Sequence, residues 1–179
     1  MRVALFNVKH SPNLGDGLLA ECLEREMLAA RPGWSVVALD LAGRERFGLA
    51  DPRRRLKLKV LEALPGPARR RAAELALRPI VERRLRPRWR EALRGADAVV
   101  VGGGNLFADA DLNFPLKIAG ALAEARALPV GVHAVGVTPN WSPRGARLFG
   151  EALEAIRRWR PTCSDPPTRS GTVTSGWGR

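Results

Sequence analysis

Acidic, amide and glycine residues follow two apolar runs of this chain, and their types suit them for chemistry. "PNLGDGLLAECL", residues 12–23, comes just after a short apolar run, and "GGGN", residues 102–105, comes directly after "DAVVV". Glycines let the backbone approach a ligand closely, and carboxylates can take a proton from a hydroxyl group. Two such stretches in one chain predict a binding cleft.

The polar residues near these glycines are oxygen-rich, which favours a ligand with hydroxyl groups such as a sugar. They are Asn105, Asp109, Asp111 and Asn113. Asp16 is predicted to cap the helix that follows it, where the helix dipole keeps a carboxylate ionised, and it is the candidate general base. Two simpler interpretations stay open: "NLGD" as a helix cap alone, and "GGG" as a strand-to-helix turn alone.

Other chemistries lack their sequence patterns. "GGGNLF" has neither the Gly-Lys-Ser/Thr of a phosphate-binding loop nor a dinucleotide fingerprint. The two cysteines, Cys22 and Cys163, have no metal-ligand spacing, and Cys22 is predicted to be a buried thiol within a helix. His133 alternates with apolar residues and is predicted to lie in the core, whereas His10 is expected to be exposed and able to touch a substrate. No metal site is predicted.

Four apolar runs bounded by turn-forming residues predict the strands that must position these residues. The runs are at residues 2–8, 34–41, 97–101 and 129–137, and Gly102–Gly104 are expected to turn the chain where the third strand ends. Helical spacing of apolar residues lies between the strands, as on the face Leu19, Cys22, Leu23, Met27 and Ala30, at 114–127, and from Ser142 to about Trp159.

This alternation predicts an α/β fold, with a Rossmann-like parallel sheet flanked by helices. In such a sheet, ligands bind outside the carboxyl ends of the strands. Three loops fall there, at residues 9–16, 102–111 and 136–141. One domain over residues 1–159 is expected.

Residues 42–94 form an arginine-rich insertion in this pattern. Residues 44–94 hold 17 of the 30 basic and 6 of the 18 acidic residues, so they carry nearly all of the net charge of +12. Apolar residues at every fourth position, Leu77 to Leu93, predict two or three amphipathic helices packed over one side of the sheet, since Pro79 and Pro87 disfavour one long helix. A helix lying on an anionic membrane surface is the alternative. Nucleic acid is not expected as a partner, because no reading motif accompanies the charge.

The composition favours a soluble globular protein: hydrophobic residues make up 45% of the 179 residues, and no apolar run is long enough to span a bilayer. A cytoplasmic location is expected, with peripheral attachment at the inner membrane face as an option. Residues 160–179 lack apolar periodicity and are predicted to be an unstructured tail. A native flexible end and a frameshift are both open explanations for this tail, and the frameshift is favoured.

Three motifs in a fixed order resemble the polysaccharide pyruvyl transferase family. They are "NLGDGLLAECL", "ADAVVVGGGNLF" and "PVGVHAVGVTP", and the resemblance covers about residues 1–158. In the last motif Gly136 matches the family's Gly-x-Gly-Pro, but a Val-Thr pair separates it from Pro139.

The resemblance implies that a pyruvyl group is transferred from phosphoenolpyruvate to a sugar of a cell-surface polysaccharide. It implies no cofactor, a saccharide or lipid-linked saccharide as acceptor, and one half of a two-domain, glycosyltransferase-B-like architecture. The second half has no match here, so this chain alone is expected to be truncated and weakly active or inactive. The carried-over site residues are Asn13, Gly15, Asp16, Gly102, Gly103, Gly104 and Asn105, with Asp16 as the catalytic candidate. Two alternatives are a glycosyltransferase-like half-domain that binds a sugar nucleotide, and a basic module that binds anionic partners.

Overall fold

The computed structural model describes residues 1–47, 61 and 63–157. The strands are β1 (Arg2–Asn7), β2 (Ser35–Asp40), β3 (Ala98–Phe107) and β4 (Val130–Val137). The helices are α1 (Leu14–Ala30), α2 (Gly66–Ile80), α3 (Arg86–Leu93), α4 (Asn113–Glu124) and α5 (Pro143–Arg157), and a π-helical segment (Val81–Leu85) joins α2 to α3. The predicted tail at 160–179 and residues 48–60 of the insertion lie outside the described residues.

The four strands form one parallel sheet in the order β2-β1-β3-β4. The chain moves outward from β1 to β2 and then returns across β1 to β3 and β4. Because crossover connections are right-handed, this reversal places α1 on one face of the sheet and the later helices on the other. The predicted α/β, Rossmann-like parallel sheet flanked by helices is therefore confirmed.

The larger core lies between the sheet and the helices of the arginine-rich insertion, together with α4 and α5. Phe6 of β1 packs edge-on against Trp89, with ring centroids 6.0 Å apart. Of the apolar positions predicted at every fourth residue, Val81, Leu85, Trp89 and Leu93 are buried here and Leu77 is half-buried. The described helices of the insertion do pack over one side of the sheet, but they form one continuous helical run from residue 66 to 93, so the expectation that Pro79 and Pro87 divide it into separate helices is wrong.

The two prolines distort the insertion's helices without separating them. Pro87 has no N–H to donate to the carbonyl of Arg83, as an α-helix would require. The Arg86 N–H instead donates to the carbonyl of Val81, five residues back, which is the π-helical pattern. Since the axis continues, the buried face of the insertion stays continuous from α2 into α3.

An ion-pair cluster fixes α3 to α4 near the middle of this layer. The Glu124 carboxylate, only 7% exposed, accepts from Arg86 Nε at 2.7 Å and from Arg90 Nε at 2.8 Å. The hydrogen bond from Arg90, helped by that from Arg86, lowers the pKa of Glu124, although burial opposes this effect. Glu124 is therefore held as a carboxylate that joins two helices.

Helix α1 begins earlier than predicted and buries a different face. Asn13, rather than Asp16, is the N-cap: its Oδ1 accepts from the Gly15 N–H at 3.2 Å. The buried residues are Gly17, Ala20 and Leu23. Leu19 and Cys22 are exposed, so the prediction of a buried Cys22 is wrong.

Strand β3 is longer than predicted, because the three glycines continue it to Phe107 instead of turning the chain. Beyond Val101 it extends past the end of β1 and pairs with β4 alone. β4 is an edge strand in the described sheet, and residues 131–134 are exposed. The prediction that His133 lies in the core is therefore wrong. None of the helices in the described ranges has the length and apolarity that crossing a membrane requires.

Candidate functional site at the carboxyl rim of the sheet

The strand order reverses between β1 and β3, and this reversal defines where a ligand crevice is expected. After β1 the chain turns toward α1 on one face, whereas after β3 it turns toward α4 on the other. Connections that diverge in this way leave a crevice outside the carboxyl ends of the two strands, which is where open α/β sheets bind ligands. The first predicted motif follows β1 and the second ends β3, so both lie at this crevice.

Asp16 and Asn105 meet at this position from opposite sides. Asp16 lies in the first turn of α1, and its Oδ1 is 3.5 Å from the backbone N of Asn105 in β3. Gly104 lies directly beneath the carboxylate: a Cβ at this glycine would be 3.3 Å from Asp16 Oδ1. The structure thus brings together the acid of the first motif and the last residues of the second.

A third element adds a hydroxyl to this pair. The Asn105 side-chain Nδ2 donates to Thr138 Oγ1, just after β4, at 3.4 Å. Gly136 leaves the necessary space, since a Cβ there would lie 2.9 Å from Asn105 Oδ1. Thr138 lies in the loop 136–141 that was predicted at this rim, although the residue itself was not among the predicted site residues.

A β-bulge exposes Asn105 among buried neighbours. Gly104 pairs with Val135 and Phe107 with Val137, so β3 has one more residue than β4 over this interval. Bulges re-aim side chains and occur often beside active sites. Here Asn105 is exposed, whereas Gly104 and Leu106 on either side are buried.

Gly102 and Gly103 serve close packing between α1 and β3. A Cβ at Gly103 would lie 2.7 Å from Ala20 Cα and 3.0 Å from Ala20 N, and one at Gly102 would meet first the His133 carbonyl oxygen of β4 and then Leu23 of α1. Gly103 also has a φ of +76°, which favours glycine. These two glycines therefore bring α1 against the sheet, and their predicted contact with substrate stays a prediction.

Asn13 and Gly15 are exposed at the start of α1, on the same turn as Asp16. The Asn13 side chain is engaged in the helix cap, and its backbone oxygen accepts from the Asp16 and Gly17 N–H groups. The pair therefore sets where α1 begins, and through this the position of Asp16.

Asp109, the remaining predicted site residue, is buried and bonded within the protein. Its Oδ2 accepts from the Ser142 N–H at 2.7 Å and from Ser142 Oγ at 2.6 Å, and its Oδ1 accepts from the Leu112 N–H at 2.7 Å. Gly145 packs against this carboxylate, which leaves no room for a side chain there. Asp109 thus joins the end of β3 to the start of α5, and its predicted binding of substrate stays a prediction.

The first loop is anchored by buried polar groups. Asp40, at the end of β2, accepts from the His10 N–H at 3.0 Å, and the His10 ring packs edge-on against Phe47. The predicted exposure of His10 is therefore wrong, since the residue is half-buried. At the end of β1, Asn7 is fully buried, and its Nδ2 has no hydrogen-bond partner among the described residues.

In chemical terms, the rim combines a carboxylate with neutral donors. Asp16 could accept a proton from a hydroxyl group, while the Asn105 amide and the Thr138 hydroxyl could orient its oxygen. Across the described ranges, no group of three or more His, Cys, Asp or Glu side chains is placed to hold a metal ion.

Comparisons of the chain with models of known protein families, with curated proteins and with solved structures gave no significant match.

Proposed function

We propose that this chain is the acceptor-binding half of a pyruvyl transferase, which forms a pyruvate ketal on a saccharide with phosphoenolpyruvate as donor. The observation that carries the proposal is the meeting of Asp16 and Asn105 at the reversal of strand order, with Thr138 beside them. A ketal needs two sugar hydroxyls held together and deprotonated in turn. One carboxylate flanked by an amide and a hydroxyl suits that task.

The reaction balances as follows. The donor's methylene carbon gains a proton and becomes a methyl group, two sugar oxygens bond to its central carbon, and the bond from that carbon to the phosphate oxygen breaks. Inorganic phosphate leaves with one of the two hydroxyl protons. Asp16 is proposed to accept the proton of the attacking hydroxyl, and Asn105 to hold that hydroxyl in place.

The test uses the full chain with phosphoenolpyruvate and a panel of free and lipid-linked saccharides. Phosphate release is measured, and the saccharide is examined by mass spectrometry for the added pyruvate ketal. Slow turnover is expected for one acceptor class. Asp16→Asn keeps the shape of the side chain and is expected to reduce turnover about 100-fold or more, as the loss of a general base does.

Glu26→Gln is the matched control, because it neutralises an exposed carboxylate on the same helix. It is expected to leave turnover within about twofold, as exposed substitutions far from a site generally do. Equal rates for the two variants would refute the role of Asp16. Turnover with a sugar nucleotide in place of phosphoenolpyruvate would refute pyruvyl transfer, and so would the absence of both a ketal product and any saccharide binding by the chain.

A further inference from the structure

A second cavity at the carboxyl rim has a different chemical character from the Asp16 crevice. It has a volume of about 550 Å³ and lies between α2, α5 and the turn before α4. This volume is within the range of small-molecule sites, roughly 300–1,000 Å³. The charged residues that line it are Arg70, Arg71, Glu74, Arg144 and Arg147.

Two ion pairs hold the walls of this cavity together. Arg144 of α5 donates from Nε and Nη2 to Glu74 Oε1 of α2, each at 3.3 Å. Arg69 of α2 pairs with Asp111, its Nε lying 3.0 Å from Asp111 Oδ2. The cavity is therefore bounded by elements that are tied to one another, as expected of a pre-formed site.

The other three arginines of the cavity do not take part in these two ion pairs. Within the described part of the chain, the side chains of Arg70, Arg71 and Arg147 form no hydrogen bond or ion pair. Since Arg144 and Glu74 neutralise each other, the described lining of the cavity keeps three positive charges. Like charges that face one cavity repel one another, and a bound anion would offset that repulsion.

The turn that forms the third wall is strained. Ala110, Asp111 and Leu112 all have positive φ, between 44° and 67°, and none of them is glycine. Such conformations are unfavourable for residues with a side chain and persist only where the surroundings hold them. Asp109 and Arg69 supply that restraint, and Leu112 lines the cavity.

We propose that this cavity binds a diphosphate group. Arginine guanidinium groups bind phosphate oxygens in pairs, and three of them match the charge of a diphosphate better than that of one phosphate. The start of α5 contributes little, because the Ser142 and Gly145 N–H groups are already bonded within the protein. The diphosphate could belong to a nucleotide or to a lipid-linked sugar, since both present the same group.

The test measures binding of inorganic pyrophosphate and inorganic phosphate to the full chain by titration calorimetry at 0.15 M salt. Pyrophosphate is expected to bind at least about tenfold more tightly than phosphate, because it reaches more of the guanidinium groups. The variant Arg70→Gln/Arg71→Gln/Arg147→Gln is expected to lose about 100-fold in pyrophosphate affinity.

The matched control is Arg83→Gln/Arg84→Gln/Arg126→Gln, which removes three exposed arginines outside the cavity and changes the net charge equally. It is expected to stay within about threefold of the parent, since screened distant charges act weakly. Equal losses in the two triple variants would refute the cavity as the site. Tighter binding of phosphate than of pyrophosphate would refute a diphosphate.

Circular dichroism and urea unfolding establish that each variant is folded. If the cavity variant does not fold, Arg147→Gln alone replaces it, because this side chain is exposed on α5; a loss below threefold would then overturn the proposal. Uridine diphosphate and a short prenyl diphosphate, tested in parallel, identify the source of the group. Asp16→Asn is expected to leave pyrophosphate binding unchanged, which separates this proposal from pyruvyl transfer.

Discussion

Replacing Gly103 with alanine tests whether the glycines of β3 set the distance between α1 and the sheet. The new Cβ would lie 2.7 Å from Ala20 Cα, 3.0 Å from Ala20 N and 3.1 Å from Leu19 O. All three atoms belong to the backbone of α1, so no side-chain rotation relieves the overlap. The helix must move away from the sheet, or β3 must distort.

Two contributions lower the free energy of unfolding of the Gly103→Ala variant. A residue with a side chain costs roughly 1–2 kcal/mol in the left-handed region, where Gly103 has a φ of +76°. An extra methyl group in a tightly packed position costs about 1–3 kcal/mol. The free energy of unfolding is therefore expected to fall by about 2–5 kcal/mol, a large part of the roughly 5–15 kcal/mol of a typical domain.

Urea unfolding followed by circular dichroism measures this change, with Gly131→Ala as the control. Gly131 lies in the neighbouring strand β4, and a Cβ there would meet no atom within 4 Å. The control is expected to stay within about 0.5 kcal/mol of the parent, as most exposed substitutions do. A Gly103→Ala protein as stable as the control would refute the close packing described here.

A second variant identifies which atoms are responsible. Because the overlap involves the backbone of Ala20, adding Ala20→Gly to Gly103→Ala is expected to give no rescue. Recovery of stability in the double variant would mean that the Ala20 methyl group, and not the helix backbone, sets the distance. Displacement of α1 would also move Asp16, one turn earlier, away from Asn105.

Two further outcomes are expected from the described contacts. Glu124→Gln should reduce the free energy of unfolding by about 1 kcal/mol at pH 7, since exposure of Arg90 weakens the ion pair. Because Arg90 and Arg86 lower the pKa of Glu124, this stabilisation exists above the usual glutamate pKa and is lost as the pH falls through the lowered value. Urea unfolding over a descending pH series should therefore show the stabilities of the two proteins converging. A constant difference in stability would contradict this role of Glu124. Gly145→Ala and Asp109→Ala should each destabilise the protein by about 2–3 kcal/mol, the first by crowding the Asp109 carboxylate and the second by removing the acceptor of three hydrogen bonds. Together they should cost less than their sum in urea unfolding, and strict additivity would show that Gly145 and Asp109 do not interact.

The periodicity of apolar residues was sufficient to predict the order and type of the elements. β1, β2, β4 and α4 begin and end within a few residues of their predicted limits, because each is bounded by turn formers. β3 was predicted too short, since three consecutive glycines suggest a turn. Glycines inside a strand also mark close approach of another backbone, and that second meaning applies here.

The wrong prediction of the buried face of α1 has a related cause. Gly103 of β3 admits the small residue Ala20 to the interface, so the buried face of α1 is not its most apolar one. Leu18 and Leu19 are consequently exposed. A prediction that puts the largest apolar residues inside fails wherever two backbones approach this closely.

The order of strands and helices in the sequence was enough to predict that Asp16 and Asn105 lie at the same rim of the sheet. Nothing in the sequence indicated the arginine cavity. That cavity depends on contacts between Arg144 and Glu74, 70 residues apart, and between Arg69 and Asp111, 42 residues apart. Within the insertion, paired and unpaired arginines look alike in the sequence. They differ in what faces them, and this follows only from the tertiary fold.

The structure therefore places the candidate acid and the concentrated positive charge at two different sites. The glycines of β3 were expected to let the backbone approach a ligand closely; in the structure Gly102 and Gly103 also make room for Leu23 and the backbone of α1. Their packing carries Asp16 to Asn105, so the glycines act on the site through the position of an acid. Asp16 suits a hydroxyl group, whose proton it can accept, and leaves the binding of phosphate to other groups. On the described part of this rim, positive charge is concentrated between α2 and α5, in the arginine cavity that is proposed to bind the diphosphate.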